Sequence, residues 1–168
     1  MFAENSNCEI SAEAIISADA RIYPSVRGSL LRIGANTRIF DFAVIQFVGG
    51  NGDITIGEHC YINPHCVLYS GSGINIGNNV LIASGTMIVP ANHSIKSRNE
   101  LIRNQGFLPS RGGVIIEDDV WLGANCVLLD GTHIERGAVI AAGSVVNGKI
   151  PAYTIWGGIP AKFIKERS

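Results

Sequence analysis

Residues 114–146 decide the fold of this chain: VIIEDDVWLGANCVLLDGTHIERGAVIAAGSVV. Every sixth residue of the stretch is aliphatic, which gives an unbroken column: Ile116, Leu122, Leu128, Ile134, Ile140 and Val146. An amphipathic helix repeats about every 3.6 residues and a half-buried strand about every 2. A period of six therefore requires short strands separated by turns, and it predicts a coil whose turns stack into a parallel β-helix.

The same column runs through most of the chain in groups of three. Its earlier members are Ile10, Ile16, Ile22; Ile33, Ile39, Ile45; Ile56, Ile62, Leu68; and Ile76, Ile82, Ile88. Three hexads followed by a break predict a prism with three flat faces, in which residues eighteen apart stack across neighbouring turns. The breaks near residues 24–31, 49–53 and 70–73 are expected to be turns at corners.

Length and composition favour one domain over residues 1–168, because 20 glycines and 46% hydrophobic residues suit many short strands and turns. A net charge of −1 gives no general attraction to nucleic acid. The N-terminal MFAENSNCEI lacks a signal-peptide pattern, and no apolar run has the length of a membrane span. We therefore expect a cytoplasmic protein.

The four cysteines each precede a column residue by two positions: Cys8, Cys60, Cys66 and Cys126. Small residues such as Ala138 occupy this position in other hexads, which indicates limited space inside the prism. No CxxC spacing occurs, and disulfides are rare in a reducing compartment. We predict buried structural thiols.

The longest interruption lies between Ile88 and Ile116, and part of it, around residues 92–113, must leave the prism because the spacing is no multiple of six. Long excursions from a rigid scaffold are commonly functional. His93 lies where this loop begins. Its neutral imidazole could take a proton from a hydroxyl, or it could be an ordinary surface histidine.

Three further features of the sequence suggest chemistry or capping. Trp121 should project from a face, where it could pack against the His93 loop, another subunit or a ligand. The backbone amide of Ala124 could point at a developing oxyanion from the rigid wall. Because the column ends at Val146, a short terminal segment should fold back over the open end of the coil.

A metal site is conceivable because ligands on a β-helix can come from different turns. The candidate ligands are His59, His65 and His93. Their irregular spacing does not favour such a site, and no metal is expected.

Several motifs together resemble those of the hexapeptide-repeat acyltransferases. They are the hexads, Asn92-His93-Ser94, Asp119-Val120-Trp121-Leu122-Gly123-Ala124 and Gly158-Ile159-Pro160-Ala161-Lys162. Within this superfamily the chain is most similar to galactoside and maltose O-acetyltransferases and to enzymes that acetylate bacterial polysaccharides. The resemblance covers about residues 30–168. It implies a left-handed parallel β-helix, a homotrimer, and acetyl-CoA bound between two subunits.

The resemblance also implies roles for individual residues. His93 matches the histidine that deprotonates the acceptor hydroxyl for direct attack on the thioester, so no acyl-enzyme is expected. The implied acceptor contacts are Asn63, Asn92 and Trp121. The implied acetyl-CoA contacts are Trp121, the amides of Ala124 and Ala142, and the basic side chains of Lys162 and Lys165. Ser70 stands where the galactoside enzymes have an acidic acceptor contact, which indicates a different acceptor.

We therefore predict an acetyl-CoA-dependent O-acetyltransferase that acts on a sugar hydroxyl in surface-polysaccharide or lipopolysaccharide biosynthesis. Residues 95–113 are expected to set the choice of acceptor. Three alternatives remain: the same fold acetylating the amine of an aminosugar nucleotide, a β-helical metalloenzyme, and a non-catalytic scaffold.

Overall fold

Three parallel sheets wrap around one axis to form a three-sided prism. The computed structural model describes residues 7–168, which contain twenty-one short strands and one 3-10 turn at Ile102–Asn104. Complete coils contribute one strand to each sheet, and the coils stack through parallel pairing. The predicted left-handed parallel β-helix is confirmed.

The faces are numbered in the order in which the chain meets them. The first face contains β1 Cys8–Ile10, β4 Leu31–Ile33, β7 Ile54–Ile56, β10 Ile74–Ile76, β13 Val114–Ile116, β16 Thr132–Ile134 and β19 Lys149–Ile150. The second contains β2 Ile15–Ile16, β5 Arg38–Ile39, β8 Tyr61–Ile62, β11 Leu81–Ile82, β14 Trp121–Leu122, β17 Val139–Ile140, β20 Thr154–Gly157 and β21 Lys162–Glu166. The third contains β3 Arg21–Tyr23, β6 Val44–Gln46, β9 Val67–Tyr69, β12 Met87–Val89, β15 Val127–Leu129 and β18 Val145–Val146.

The predicted aliphatic column forms the core. On the second face, Ile62, Ile82 and Leu122 are aligned in neighbouring strands and are fully buried. The side chains before them in each strand point to solvent, as the alternation of a β-strand requires. Burial of this column is the main favourable contribution to folding.

Two of the three corners have a nearly constant length. The second corner, which joins the second face to the third, has four residues in each coil, including 63–66, 83–86, 123–126 and 141–144. In five of the six described coils its third residue has a left-handed backbone, for example with φ of 56° at Asn125 and 72° at Gly143. The first corner, from the first face to the second, is also four residues long at 77–80 and 117–120. A two-residue strand and a four-residue corner explain the period of six.

The third corner, which returns the chain from the third face to the first, carries the variation in length. The sequence suggested that neighbouring coils are always eighteen residues apart, but the offset between coils varies. The offset of eighteen holds between Ile116 and Ile134, whereas Ile33 pairs with Ile56 and Ile56 with Ile76 because extra residues leave the ladder at this corner. The segments of the third corner are 24–30, 47–53, 70–73, 90–113, 130–131 and 147–148.

Glycines let the segments of the third corner pack against one another. A Cβ atom on Gly50 would lie 2.1 Å from the carbonyl oxygen of Gly71, and one on Gly52 would lie 2.0 Å from the amide nitrogen of Gly73. No side chain fits at these distances. The glycine-rich breaks are thus close-packed corner turns.

Asp130 anchors the end of the long loop. Its side chain is 2% exposed. One carboxylate oxygen accepts a hydrogen bond from the amide of Arg111 at 2.7 Å, and the other accepts one from the amide of Gly113 at 2.9 Å. The Arg111 side chain then donates to the amide oxygen of Asn147 at 2.7 Å. The loop therefore rejoins the first face through a fixed point.

Three of the four cysteines behave as predicted. Cys60, Cys66 and Cys126 are fully buried free thiols, and burial raises the pKa of Cys66 to about 11. Cys8 is only partly buried, which contradicts the prediction. The reason is that β1 is an edge strand of the described first face, with β4 on one side.

The predicted C-terminal cap is a strand. β21 turns back and pairs antiparallel with β20, and the ring of Phe163 lies 6.3 Å from that of Trp156. Trp156 packs against the last coil in place of a column aliphatic. Across residues 7–168 no helix has the length and apolarity needed to cross a membrane.

We expect Asp130→Asn to loosen the loop end without unfolding the prism. An asparagine amide offers one oxygen instead of two, so one buried backbone N–H loses its acceptor, at a cost of about 1–3 kcal/mol. Hydrogen exchange should accelerate at Arg111 or Gly113 and remain slow at Val127. Asp19→Asn, a change at an exposed corner carboxylate, is the control. Unchanged exchange at both loop amides would contradict the anchoring role.

Candidate active site

His93 lies in a short antiparallel ladder at the base of the long loop. It forms a β-bridge with Phe107. The amide of Ser94 donates to the carbonyl of Gly106 at 2.9 Å, and that of Leu108 to the carbonyl of Asn92 at 2.8 Å. The His93 side chain is exposed, and its ring centroid lies 4.5 Å from that of Phe107. The candidate base is therefore held on an ordered stem.

The tip of the loop is a compact lobe organised by Gln105. The side-chain amide of Gln105 accepts from the backbone N–H of Ser97 at 3.0 Å and donates to the carbonyls of Ser97 and Glu100 at 2.7 and 2.8 Å. Arg98 and Arg103 border an open groove of about 520 Å³ and form no salt bridge within residues 7–168. The lobe thus presents free positive charge on the loop that carries His93.

The second corner presents backbone amides that have no partner in the described chain. In its four-residue turns the first amide bonds to the next coil, and the third bonds to the preceding coil. The second amide, that of Ala124 in one coil and Ala142 in the next, donates to nothing within residues 7–168. Pro64 occupies this same position in an earlier coil, as expected where no N–H is needed. Ala124 and Ala142 are stacked neighbours and form two free donors along one edge.

Trp121 lies on the outer side of the second face, three residues before Ala124. Its side chain is 52% exposed between Leu81 and Val139 in the neighbouring strands. Together with Ile155 these residues line a mainly apolar groove of about 380 Å³. An exposed indole in an apolar groove suits contact with a ligand or a second protein surface.

The terminal hairpin places one predicted lysine beside the same edge. Lys162 pairs with Gly157 at the end of β20 that adjoins the second corner, and the amide of Gly158 donates to the hydroxyl of Ser144 at 3.1 Å. Ala124, Ala142 and Lys162 therefore follow one another along the prism. Lys165 pairs with Ile155, farther from this corner. Both lysine side chains are exposed.

The two predicted acceptor asparagines lie at different corners. Asn63 is the first residue of a second corner, and its side-chain amide donates to the carbonyl of Ile82 at 2.9 Å. This bond supports the stacking of the coils. Asn92 lies at the third corner beside His93, where its carbonyl accepts the bond from Leu108.

One copy of the chain does not bring all the predicted residues together. Asn92 and His93 lie at the third corner, whereas Ala124 and Ala142 lie at the second, with the strands of the third face between them. Trp121 faces outward from the second face, so it does not pack against the His93 loop of its own chain. The predicted base and the predicted acetyl-CoA contacts therefore lie on separate edges of each chain.

The histidines considered for a metal site are also separated. His59 lies at a first corner, His65 at a second and His93 at the third. No group of three or more metal-binding side chains is found among residues 7–168. A single chain therefore does not assemble the proposed triad.

A cysteine nucleophile is disfavoured at the second corner. Cys126 is fully buried two residues after Ala124, and burial raises the pKa of its thiol. Its sulfur also donates to the carbonyl of Ala141 at 3.3 Å. The protonated, inaccessible thiol supports the expectation that acyl transfer needs no acyl-enzyme.

The residues that shape the loop around His93 were not predicted from the sequence: Phe107, Gln105 and Asp130. The hexad pattern identifies buried positions in the coil but does not extend into residues 92–113. Their partners become visible only when both ends of the loop are placed on the prism.

Comparison with known proteins agrees with this architecture. Residues 113–148 match the family model described as bacterial transferase hexapeptide (six repeats). The chain is 34% identical over 122 residues to the putative lipopolysaccharide biosynthesis O-acetyl transferase WbbJ of Escherichia coli, an alignment that covers 70% of this chain. It spans 62% of WbbJ, less than two thirds of that protein's length.

Two solved structures share the fold. AntD, an N-acyltransferase from Bacillus cereus solved with dTDP and 3-hydroxybutyryl-CoA, superposes with a TM-score of 0.79 at 25% identity, over 96% of this chain and 83% of AntD. A hexapeptide-repeat acetyltransferase from Vibrio cholerae superposes with a TM-score of 0.67 at 32% identity, over 82% of this chain and 74% of its own. With the stacked hexads and the free amides of the second corner, these likenesses show that the chain belongs to the family of hexapeptide-repeat transferases.

Proposed function

We propose that this protein is an acetyltransferase that uses acetyl-CoA as the donor and a sugar hydroxyl as the acceptor. The observation that carries the proposal is the pair of free backbone amides at Ala124 and Ala142, stacked on one rigid edge that leads to Lys162. Such an edge suits an extended acyl-CoA, with a thioester oxygen at one amide, the pantetheine arm at the next and phosphates near the lysine. The Vibrio cholerae relative has also been solved with acetyl-CoA.

His93 supplies the base in this proposal. An acceptor hydroxyl gives its proton to the imidazole as its oxygen attacks the thioester carbonyl. The Ala124 amide donates to the oxygen that becomes negatively charged. The carbon–sulfur bond then breaks, the imidazolium of His93 gives its proton to the leaving sulfur so that coenzyme A leaves as the thiol, and the acetyl ester remains on the sugar. Positioning of the two substrates contributes the remaining rate enhancement.

A complete site requires two copies of the chain, and we propose a homotrimer with sites between subunits. The third corner of one copy would supply His93, and the second corner of its neighbour would supply Ala124 and Trp121. The outer second face supports this arrangement, because it exposes an apolar stripe that includes Tyr61, Leu81 and Trp121. Apolar faces of this kind commonly bind another protein surface.

The sugar acceptor is the first candidate because the likeness to WbbJ covers most of this chain. A glycan in surface-polysaccharide or lipopolysaccharide assembly is the corresponding substrate class. The second candidate is the amine of an aminosugar nucleotide. The likeness to AntD supports it, and so do the free cations Arg98 and Arg103, which would suit a diphosphate.

The first test is release of coenzyme A thiol from acetyl-CoA across a panel of sugars, oligosaccharides and aminosugar nucleotides. We expect His93→Ala to lower acceptor-dependent turnover by about 10² to 10⁴-fold. Binding of acetyl-CoA should remain, because its proposed contacts lie at the second corner, on the second face and in the terminal hairpin, away from His93. Equal turnover by His93→Ala would contradict the role of the base, and failure of the wild type to bind acetyl-CoA would refute the transferase.

Proline substitution tests the Ala124 amide, because Pro64 shows that this corner position accepts proline. Ala124→Pro removes the free N–H and no intramolecular hydrogen bond. We expect kcat to fall by about 10² to 10³-fold, as for other lost oxyanion donors. Ser84→Pro makes the same change one coil earlier and should leave kcat near the wild-type value. Similar activity of the two variants would eliminate Ala124 as the donor.

Subunit mixing tests the shared site. His93→Ala and Ala124→Pro should each be inactive alone, but refolding an equal mixture should restore about a quarter of wild-type activity if each site joins two subunits. A site contained within one chain would stay inactive in every mixture. Light scattering of the wild type should give the mass of a trimer.

A further inference from the structure

The imidazole of His93 has no polar partner within the part of the chain that the structure describes. Neither ring nitrogen forms a hydrogen bond or a salt bridge with any residue between 7 and 168. No carboxylate or carbonyl among these residues therefore fixes the orientation of the ring. The aromatic ring of Phe107 contacts it, with a centroid separation of 4.5 Å and an interplanar angle of 33°.

We propose that Phe107 is the positioning residue for His93, an inference that rests on the proposed role of His93 as the base. The tilted contact with the Phe107 ring restricts rotation of the imidazole. The two nitrogens lie in the ring plane and stay available, one to accept the acceptor proton and the other to carry its own hydrogen. A carboxylate partner would instead occupy one of these nitrogens.

Phe107 is itself held in place. The β-bridge with His93 aligns the two residues across the loop stem, and the flanking bonds at Ser94 and Leu108 fix the register. One edge of the ring also lies near Gly49, where an added Cβ would be 3.8 Å from Phe107 Cε1 and 2.9 Å from the Cβ of Ala91. The missing side chain at Gly49 leaves space for the stem at this corner.

The chain contains a matched pair elsewhere. Phe42 stacks on His65 with a centroid separation of 5.1 Å and an interplanar angle of 16°. The phenylalanine rings are similarly exposed, 54% for Phe42 and 51% for Phe107. Phe42→Leu thus removes a phenylalanine–histidine stack that the proposed chemistry does not use.

The experiment compares Phe107→Leu, Phe107→Tyr and Phe42→Leu with the wild type. Leucine keeps apolar bulk but removes the aromatic face, whereas tyrosine keeps the face. We expect Phe107→Leu to lower kcat by roughly two- to ten-fold, the range of an aromatic contact, with the KM for acetyl-CoA unchanged. Phe107→Tyr should keep kcat near the wild-type value, and so should Phe42→Leu. An unchanged kcat in Phe107→Leu, or no recovery with tyrosine, would overturn the proposal.

A second measurement needs no catalysis and separates this inference from the proposed function. The ring protons of His93 feel the ring current of Phe107, so their NMR resonances should move in Phe107→Leu and stay in place in Phe42→Leu. The ring-proton resonances of His65 should move in Phe42→Leu and stay in place in Phe107→Leu. If the wild type transfers no acetyl group, the proposed function fails. If the His93 resonances do not respond to Phe107→Leu, the positioning role fails, whatever the activity.

Discussion

Backbone hydrogen bonding between successive coils is the constraint on which the rest of the structure depends. A parallel ladder keeps a side chain inside the prism only if each coil stays in register with the next, because a slip of one residue would turn the column outward. Two of the three corners therefore hold four residues in nearly every complete coil. Within each coil the interior accepts an aliphatic side chain every six residues, and Ile82 and Leu122 are such residues in neighbouring coils. Between the aliphatic positions there is room only for small residues.

The same ladder creates the polar edge of the proposed site. Within a second corner the first and third amides are used in stacking, and the second has no partner in the described chain. The free donors at Ala124 and Ala142 thus result from the regular geometry of the coil. Their positions are fixed before any ligand arrives, so little reorganisation would be needed to stabilise a developing charge. Side-chain chemistry is needed mainly at the other edge, where His93 lies.

Much of the prism could be predicted from the sequence because burial inside a narrow coil imposes a strict residue pattern. The column, the three faces and the position of the long loop all follow from the spacing of residues such as Ile116 and Leu122. The offset between coils could not be obtained, because the third-corner residues lie outside the repeat. Cys8 has the sequence position of a buried residue, but within residues 7–168 its coil has a neighbour on one side only. The contact between His93 and Phe107 joins residues that no periodicity relates.

The variable length of the third corner has a consequence for how such proteins can diversify. Residues inserted there do not enter the ladder, so they add loop-closure entropy, which grows slowly with length, and leave the core contacts in place. The chain accommodates two residues at 130–131 and twenty-four at 90–113 on the same edge. In the proposed site, donor recognition and the choice of acceptor thus become separable modules. A chain with such a site can acquire a new acceptor by remodelling the third corner while the second corner keeps the same donor.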